Sequence, residues 1–226
     1  MYFDTDWLLT AQRVAVHLPT ATAVLADLHL GYNATRRRRG EAVPLTSVAM
    51  VLAPLGDVLR CCQLTRIVIA GDLFEDGFDD RVVDELRGWL AGQRAELVAI
   101  IPGNHDRRLA VGLTDLPVYC DSFFLGRWRV VHGDHDLPDV PAVFGHFHPS
   151  VQFGPYTRPC YLVKKDRLML PAFSRDARGV DVSKMARWRG WRRLVPVGDQ
   201  ILDFGEPRLK RASLTLRVGA PTNPKR

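Results

Sequence analysis

Five short stretches of this 226-residue chain set carboxylates, imidazoles and one amide just beyond apolar runs. Asp72 follows Ile67-Val68-Ile69-Ala70-Gly71, while Asp27 and His29 follow Ala23-Val24-Leu25-Ala26. Asn104, His105 and Asp106 follow Leu97-Val98-Ala99-Ile100-Ile101-Pro102-Gly103. His132 follows Val130-Val131, and His146 and His148 follow Ala142-Val143-Phe144-Gly145. Oxygen and imidazole donors of these types form the ligand set of a hard-to-borderline divalent cation. One Asp after a strand is a weak signal, because many α/β folds place one there. Repetition at several strand ends gives it weight, and the expectation is that Asp72 bridges two metal ions. Mn²⁺ suits this mixture best, with Zn, Fe or Mg possible. Two ions about 3.5–4 Å apart lower the pKa of a shared water from ~15.7 toward ~7, giving a metal-bound hydroxide as nucleophile. His105 is a candidate proton donor.

Such residues need strands to deliver them. The β-branched runs read as buried parallel strands that end at a sheet edge. In an extended segment a two-residue step puts Asp27 and His29 on one side and Leu28 on the other, and His146 and His148 likewise oppose Phe147. Gly103 permits a tight turn that exposes Asn104, His105 and Asp106. Helical spacing predicts a helix over 48–62, kinked or split at Pro54, and another over 81–94. Residues 13–18 read as an edge strand, with His17 outside the ligand set. Beyond Pro149, strands are expected at 160–163, 167–170, 179–182 and 200–204, in a second sheet packed on the first. The fold class is therefore α/β.

Residues 31–40 read as a loop carrying Arg36, Arg37, Arg38 and Arg39. An isolated run of this kind is a solvated face, but its position after Asp27 and His29 makes the four arginines candidates to hold the non-reacting part of a polyanionic substrate. His135 is a further candidate lining the cleft. The segment Arg187-Trp188-Arg189-Gly190-Trp191-Arg192-Arg193 admits two readings. It is a base-stacking platform, or Trp188 and Trp191 pack on the core, and the second is favoured.

At 46% hydrophobic and 25% charged residues the chain has ample material for a core. Residues 1–149 hold 14 basic and 19 acidic side chains, and residues 150–226 hold 17 basic and 6 acidic. The basic back half favours a phosphate-rich partner or serves solubility. The apolar runs are too short to cross a bilayer. The four cysteines Cys61, Cys62, Cys120 and Cys160 have no metal-finger spacing. With no signal-peptide pattern at residues 1–6, they read as free thiols of a cytoplasmic protein. Residues 1–205 are expected to form one catalytic domain. A basic extension, 206–226, follows and is expected to be disordered from Gly219.

Taken in order, Asp27-x-His29, Gly71-Asp72, Gly103-Asn104-His105-Asp106, His132 and Gly145-His146-x-His148 resemble the calcineurin-like metallophosphoesterase superfamily over residues 24–148. The resemblance implies a two-sheet β-sandwich flanked by helices in four layers. It implies one ion held by Asp27, His29, Asp72 and His148, and a second held by Asp72, Asn104, His132 and His146. His105 is then the catalytic histidine. Where that family usually has Asp three residues after the bridging Asp, to orient the histidine, this chain has Glu75. Glu75 and Asp106 are accordingly expected to act with His105. A closer resemblance, to small bacterial phosphoesterases associated with DNA ligase and DNA damage response, rests on three stretches. They are Ala26-Asp27-Leu28-His29-Leu30-Gly31, the Arg-Arg-Gly stretch before Pro44, and Leu170-Pro171-Ala172-Phe173-Ser174-Arg175. It implies nuclease-like activity, a link to DNA repair and functional association with DNA ligase or helicase.

Three functions compete on the sequence. The first is a phosphodiesterase acting on nucleic acid. The second is an enzyme for small nucleotides or phosphomonoesters. The third is a metal-stabilised binding subunit without turnover, which an intact His105 and a full ligand set argue against.

Overall fold

The computed structural model describes residues 1–109 and 115–206. The expected disorder beyond Gly219 lies outside the described residues, as does nearly all of the 206–226 extension. Strands β1 (Tyr2–Phe3), β2 (Trp7–Leu9), β3 (Ala15–His17), β4 (Thr22–Leu25), β5 (Arg66–Ala70) and β6 (Glu96–Ile101) form a six-stranded sheet in chain order. Helices α1 (Tyr32–Arg38) and α2 (Val48–Cys61) lie between β4 and β5, and α3 (Asp80–Gln93) lies between β5 and β6. The rest of the strands are β7 (Phe123–Leu125), β8 (Trp128–Val130), β9 (Ala142–Phe144), β10 (Pro149–Phe153), β11 (Tyr156–Pro159), β12 (Tyr161–Lys164), β13 (Arg167–Met169), β14 (Val180–Asp181), β15 (Arg192–Val197) and β16 (Gln200–Asp203). Seven of these form a second sheet in the order β16-β15-β12-β13-β9-β8-β7, and β11-β10-β14 form a small third one.

Alternation along the central strands sets the layers. Ala23, Leu25, Ile67 and Ile69 point to one side and join Leu52, Leu55 and Leu59 of α2 and Val83 and Leu86 of α3. Val24, Ala26, Val68 and Ala70 point to the other side and meet Trp128, Val130, Val143, Tyr161 and Leu168 of the second sheet. Strands covered on both faces read as unbroken apolar runs, which is why the ligand-bearing stretches stood out. Trp7 and Trp128 are fully buried between the sheets with ring centroids 5.7 Å apart and planes 89° apart. Such an edge-to-face pair adds about 0.5–1.5 kcal/mol beyond the area buried.

The sandwich expectation holds, with one refinement. Among the described residues α2 and α3 cover one outer face, whereas the other carries Val151, Val182, Trp188 and Trp191 against Phe144, Leu162 and Met169. Trp188 and Trp191 are 6% and 8% exposed, so the core-packing reading of 187–193 is the correct one. Pro54 neither ends nor splits α2, which runs unbroken from Val48 to Cys61. The proline sits beside exposed Met50 and Ala53, where water can replace the backbone bond that it removes. Segment 13–18 is not an edge. β3 pairs with both β2 and β4, and His17 is a buried strand histidine bonded through Nδ1 to Thr20 Oγ1 at 2.7 Å. Segment 32–38 is helix α1 and not a loop. No helix among the described residues is long and apolar enough to cross a membrane.

Candidate metal centre

β4, β5 and β6 are parallel, and their C-terminal ends release Asp27, Asp72 and the turn from Gly103 to Asp106 at one edge. In the second sheet β8, β9 and β13 are also parallel, and they release His132, His146-x-His148 and the segment 170–174. A bridge between Ala26 and Ala172 fastens the two edges together. Loop backbones are tied pairwise. The Asp27 N–H donates to Gly71 O, the His29 N–H to Asp72 O, and the Gly145 N–H to His132 O.

The expected extended geometry at the ligands is corrected by the structure. Asp27, His29, Asp72, His146 and His148 all have positive φ, between 44° and 70°. Left-handed backbone at non-glycine residues costs roughly 1–3 kcal/mol each and gathers where function over-determines it. Asp and His tolerate this region better than most residues. The two-residue steps do bring both side chains inward, but through a sharply turned chain.

Two donor clusters share Asp72: His29, Asp72 and His148 form one, and Asp72, His132 and His146 form the other, while a third group at the rim is His29, Glu75 and His105. Asp72 Oδ2 lies 3.9 Å from His29 Nε2 and 3.7 Å from His132 Nε2. His148 Nε2 stands 3.4 Å from His29 Nε2 and 3.7 Å from Asp27 Oδ2. His132 Nε2 faces Asn104 Oδ1 at 3.3 Å and His146 Nδ1 at 3.2 Å. All seven expected metal residues therefore meet in one place.

The donors fit divalent cations. His132 Nδ1–H donates to Ala70 O at 3.2 Å, which leaves the Nε2 lone pair facing the lone pairs of Asn104 and Asp72. His148 Nδ1–H donates to Arg178 O at 3.4 Å, again turning Nε2 inward. A backbone carbonyl behind a ligating histidine is the usual device for fixing its tautomer. Separations of 3.2–3.9 Å are what donors at about 2.0–2.2 Å from a shared ion produce. Asp27 and Asp72 are 0% and 2% exposed, and among the described residues no Lys or Arg pairs with them. Buried carboxylates without a cation are costly. Burial works against a proton on His148, but the neighbouring Asp27 carboxylate outweighs it and raises the pKa. At His146 burial, with His132 alongside, lowers it.

Close approach needs glycines. A Cβ on Gly71 would lie 1.9 Å from His132 Nδ1, one on Gly103 2.2 Å from Asp72 Oδ1, and one on Gly145 2.7 Å from Asp27 Oδ2.

His105 sits at the rim with its ring 4.8 Å from that of His29. Its Nδ1–H donates to the backbone carbonyl of Glu75 at 2.7 Å. The Glu75 carboxylate lies 3.1 Å from His29 Nδ1 and 4.0 Å from His105 Nδ1. The closer contact is not aligned as a hydrogen bond, and His29 Nδ1 has no bonded partner. Asp106 is buried, and its carboxylate accepts the N–H groups of Gly103 (2.8 Å), Phe74 (2.9 Å) and Leu73 (3.2 Å). Burial raises its pKa despite these bonds. It clasps the loop after β5 to the loop after β6.

The remaining candidates stand apart. Arg36 is bonded to Glu41 through Nε at 2.8 Å. Arg38 bonds Thr35 Oγ1 at 2.8 Å and lies 4.0 Å from Asp76, while Arg37 and Arg39 are exposed. The His135 side chain is 93% exposed and among the described residues ion-pairs only with Asp134, at 3.9 Å, but it lines a cavity that includes His132. Arg175 and Arg178, not picked out as site residues from sequence, border a cavity that includes His148. Arg175 ends the stretch Leu170-Pro171-Ala172-Phe173-Ser174-Arg175, the one signal that pointed there.

The same fold occurs in the crystal structure of the Pseudomonas putida nuclease MPE, with a TM-score of 0.67 and 20% sequence identity. The match covers 87% of this chain and 94% of that one. No protein-family model and no curated protein matches the sequence.

Proposed function

We propose that this chain is a dinuclear-metal phosphoesterase that hydrolyses phosphodiester bonds in nucleic acid. One observation carries the reading: Asp72 belongs to both donor clusters. Asp27, His29, Asp72 and His148 would hold one ion, and Asp72, Asn104, His132 and His146 the second, with Mn²⁺ the best match to these donors. Bound there, the ions supply an acidified water and offset negative charge on the phosphoryl oxygens. The chain does the rest. Glu75 O fixes His105 through Nδ1–H, which leaves Nε2 as the nitrogen free to give a proton to the leaving oxygen. Asp106 holds the His105 turn in register with Asp72, and the Glu75 carboxylate adds negative charge beside His29 and His105.

The substrate class draws support from the fold neighbour, which is a nuclease, and from the basic back half. The resemblance to ligase-associated phosphoesterases extends the reading to DNA repair, in association with a ligase or helicase. Four free cysteines suit a reducing cytoplasm. The test is a substrate panel with added Mn²⁺: bis-p-nitrophenyl phosphate, p-nitrophenyl phosphate, cyclic nucleotides, and single- and double-stranded DNA. Turnover of the diester and of DNA, exceeding that of the monoester, is expected. Turnover of p-nitrophenyl phosphate alone would replace the reading with a phosphomonoesterase.

A further inference from the structure

A cleft of about 380 Å³ opens directly beside His148 and is lined by Arg13, Arg175 and Arg178 together with Thr157. The loop that carries Arg175 and Arg178 is anchored at both ends to the metal ligands. Ser174 N–H donates to Asp27 O, and Val180 N–H donates to His148 O at 2.9 Å. In the middle, Arg178 O accepts from His148 Nδ1. The bonds that orient Asp27 and His148 thus also place two exposed guanidinium groups, and among the described residues neither group has an ion-pair partner.

Among the described residues Arg13, Arg175 and Arg178 have no ion-pair partner, although Asp181 also lines the cleft. Arg13 gives Nη1–H to Ala172 O at 3.2 Å and Ser174 O at 3.0 Å, which pins it without neutralising it. Burial and the nearby Arg175 charge lower its pKa, as expected for two cations with no carboxylate between them. The acid lining this cleft, Asp181, is engaged by Ser183 and by Lys184 Nζ at 3.0 Å. A second cavity of about 690 Å³, which Arg13 and Arg175 also line, carries Asp57, Asp176 and Asp199, so acids border the basic surface on that side. An anion extending from the donor clusters along the cleft beside His148 would meet the arginines.

Building on the proposed phosphodiesterase reading, we propose that Arg13, Arg175 and Arg178 seat the phosphate next to the scissile one. The substrate is then a diester within a polynucleotide strand and not an isolated phosphate ester.

The experiment compares kcat/KM for TpT, which has one phosphate, and TpTpT, which has two, in the full chain with saturating Mn²⁺. Wild type is expected to favour TpTpT about tenfold or more, the scale of one charge-assisted contact. Added NaCl should shrink that preference, because seating a phosphate releases counterions. The R175S/R178S variant should lose the preference, and R175K/R178K should retain most of it. Equal preference in wild type and R175S/R178S, or no preference in wild type, would overturn the assignment. So would equal loss in the lysine variant, which would trace the effect to loop distortion. Failure of wild type to cleave any diester, bis-p-nitrophenyl phosphate included, would instead sink the phosphodiesterase reading itself.

Discussion

Asp72 Oδ1 accepts the backbone N–H of His105 at 2.9 Å, while Oδ2 of the same carboxylate faces His29 and His132. One side chain thus joins both donor clusters and also fixes the turn that presents the proposed proton donor. In the proposed mechanism this carboxylate couples metal binding to placement of the acid.

The first prediction follows from that double role. Asp72→Asn keeps an oxygen for the His105 N–H but removes the shared negative charge. Elemental analysis at saturating Mn²⁺ is expected to give two ions per wild-type chain and fewer in the variant. Mn²⁺ at a hundred times its Kd should stabilise wild type by about 2.7 kcal/mol for each site filled, and the variant by less in total. Two ions retained in Asp72→Asn would remove the bridging role.

The His105 ring bonds Glu75 O, and the His105 contact with Asp72 runs through the backbone N–H, which an alanine keeps. His105→Ala should therefore leave the metal content intact and lower kcat roughly 10²–10⁴-fold on a diester. Loss of metal without a separate kinetic defect would show that His105 is a ligand-shell residue.

Gly103 packs where no side chain fits, since a Cβ would stand 2.2 Å from Asp72 Oδ1 and 2.6 Å from Asp72 N. Gly103→Ala must push apart the loops after β5 and β6. Overpacking of this sort costs about 1–3 kcal/mol, to be read from denaturant unfolding. The same variant should bind Mn²⁺ more weakly. An unchanged midpoint would mean that these loops are loose enough to absorb a methyl group.

His17 offers a pH test away from the centre. It is 1% exposed, and its ring lies 4.9 Å from that of Trp7. Burial lowers its pKa, outweighing the nearby Asp6 charge that would raise it. The unfolded chain, with an imidazole pKa of about 6.5, then binds a proton that the folded chain refuses. Stability should fall as pH drops through about 6.5, and continue to fall toward the lower folded pKa. His17→Gln should lose less thermal stability than wild type between pH 7.5 and pH 5.5. Parallel curves for the two proteins would contradict this.

Much of the site was legible in the chain itself. Apolar, β-branched runs followed at once by Asp, Asn or His announce buried strands with chemistry at their ends, because burial on both faces writes itself as unbroken hydrophobicity. The helices 80–93 and 48–61 were legible for a similar reason, their apolar stripe recurring at helical spacing. Composition and order alone thus determined the ligand residues to examine and the type of sheet that carries them.

Non-local contacts decided the rest. The left-handed backbone at Asp27, His29, Asp72, His146 and His148 is imposed by cross-loop bonds such as Asp27 N–H to Gly71 O, between residues far apart in sequence. The same holds for Asp106, whose clasp depends on N–H groups more than thirty residues away. Burial of Trp188 and Trp191 required the outer face of the second sheet to be in place. Arg175 and Arg178 join the proposed site only because their loop is tied to Asp27 and His148, across distances that no local periodicity encodes.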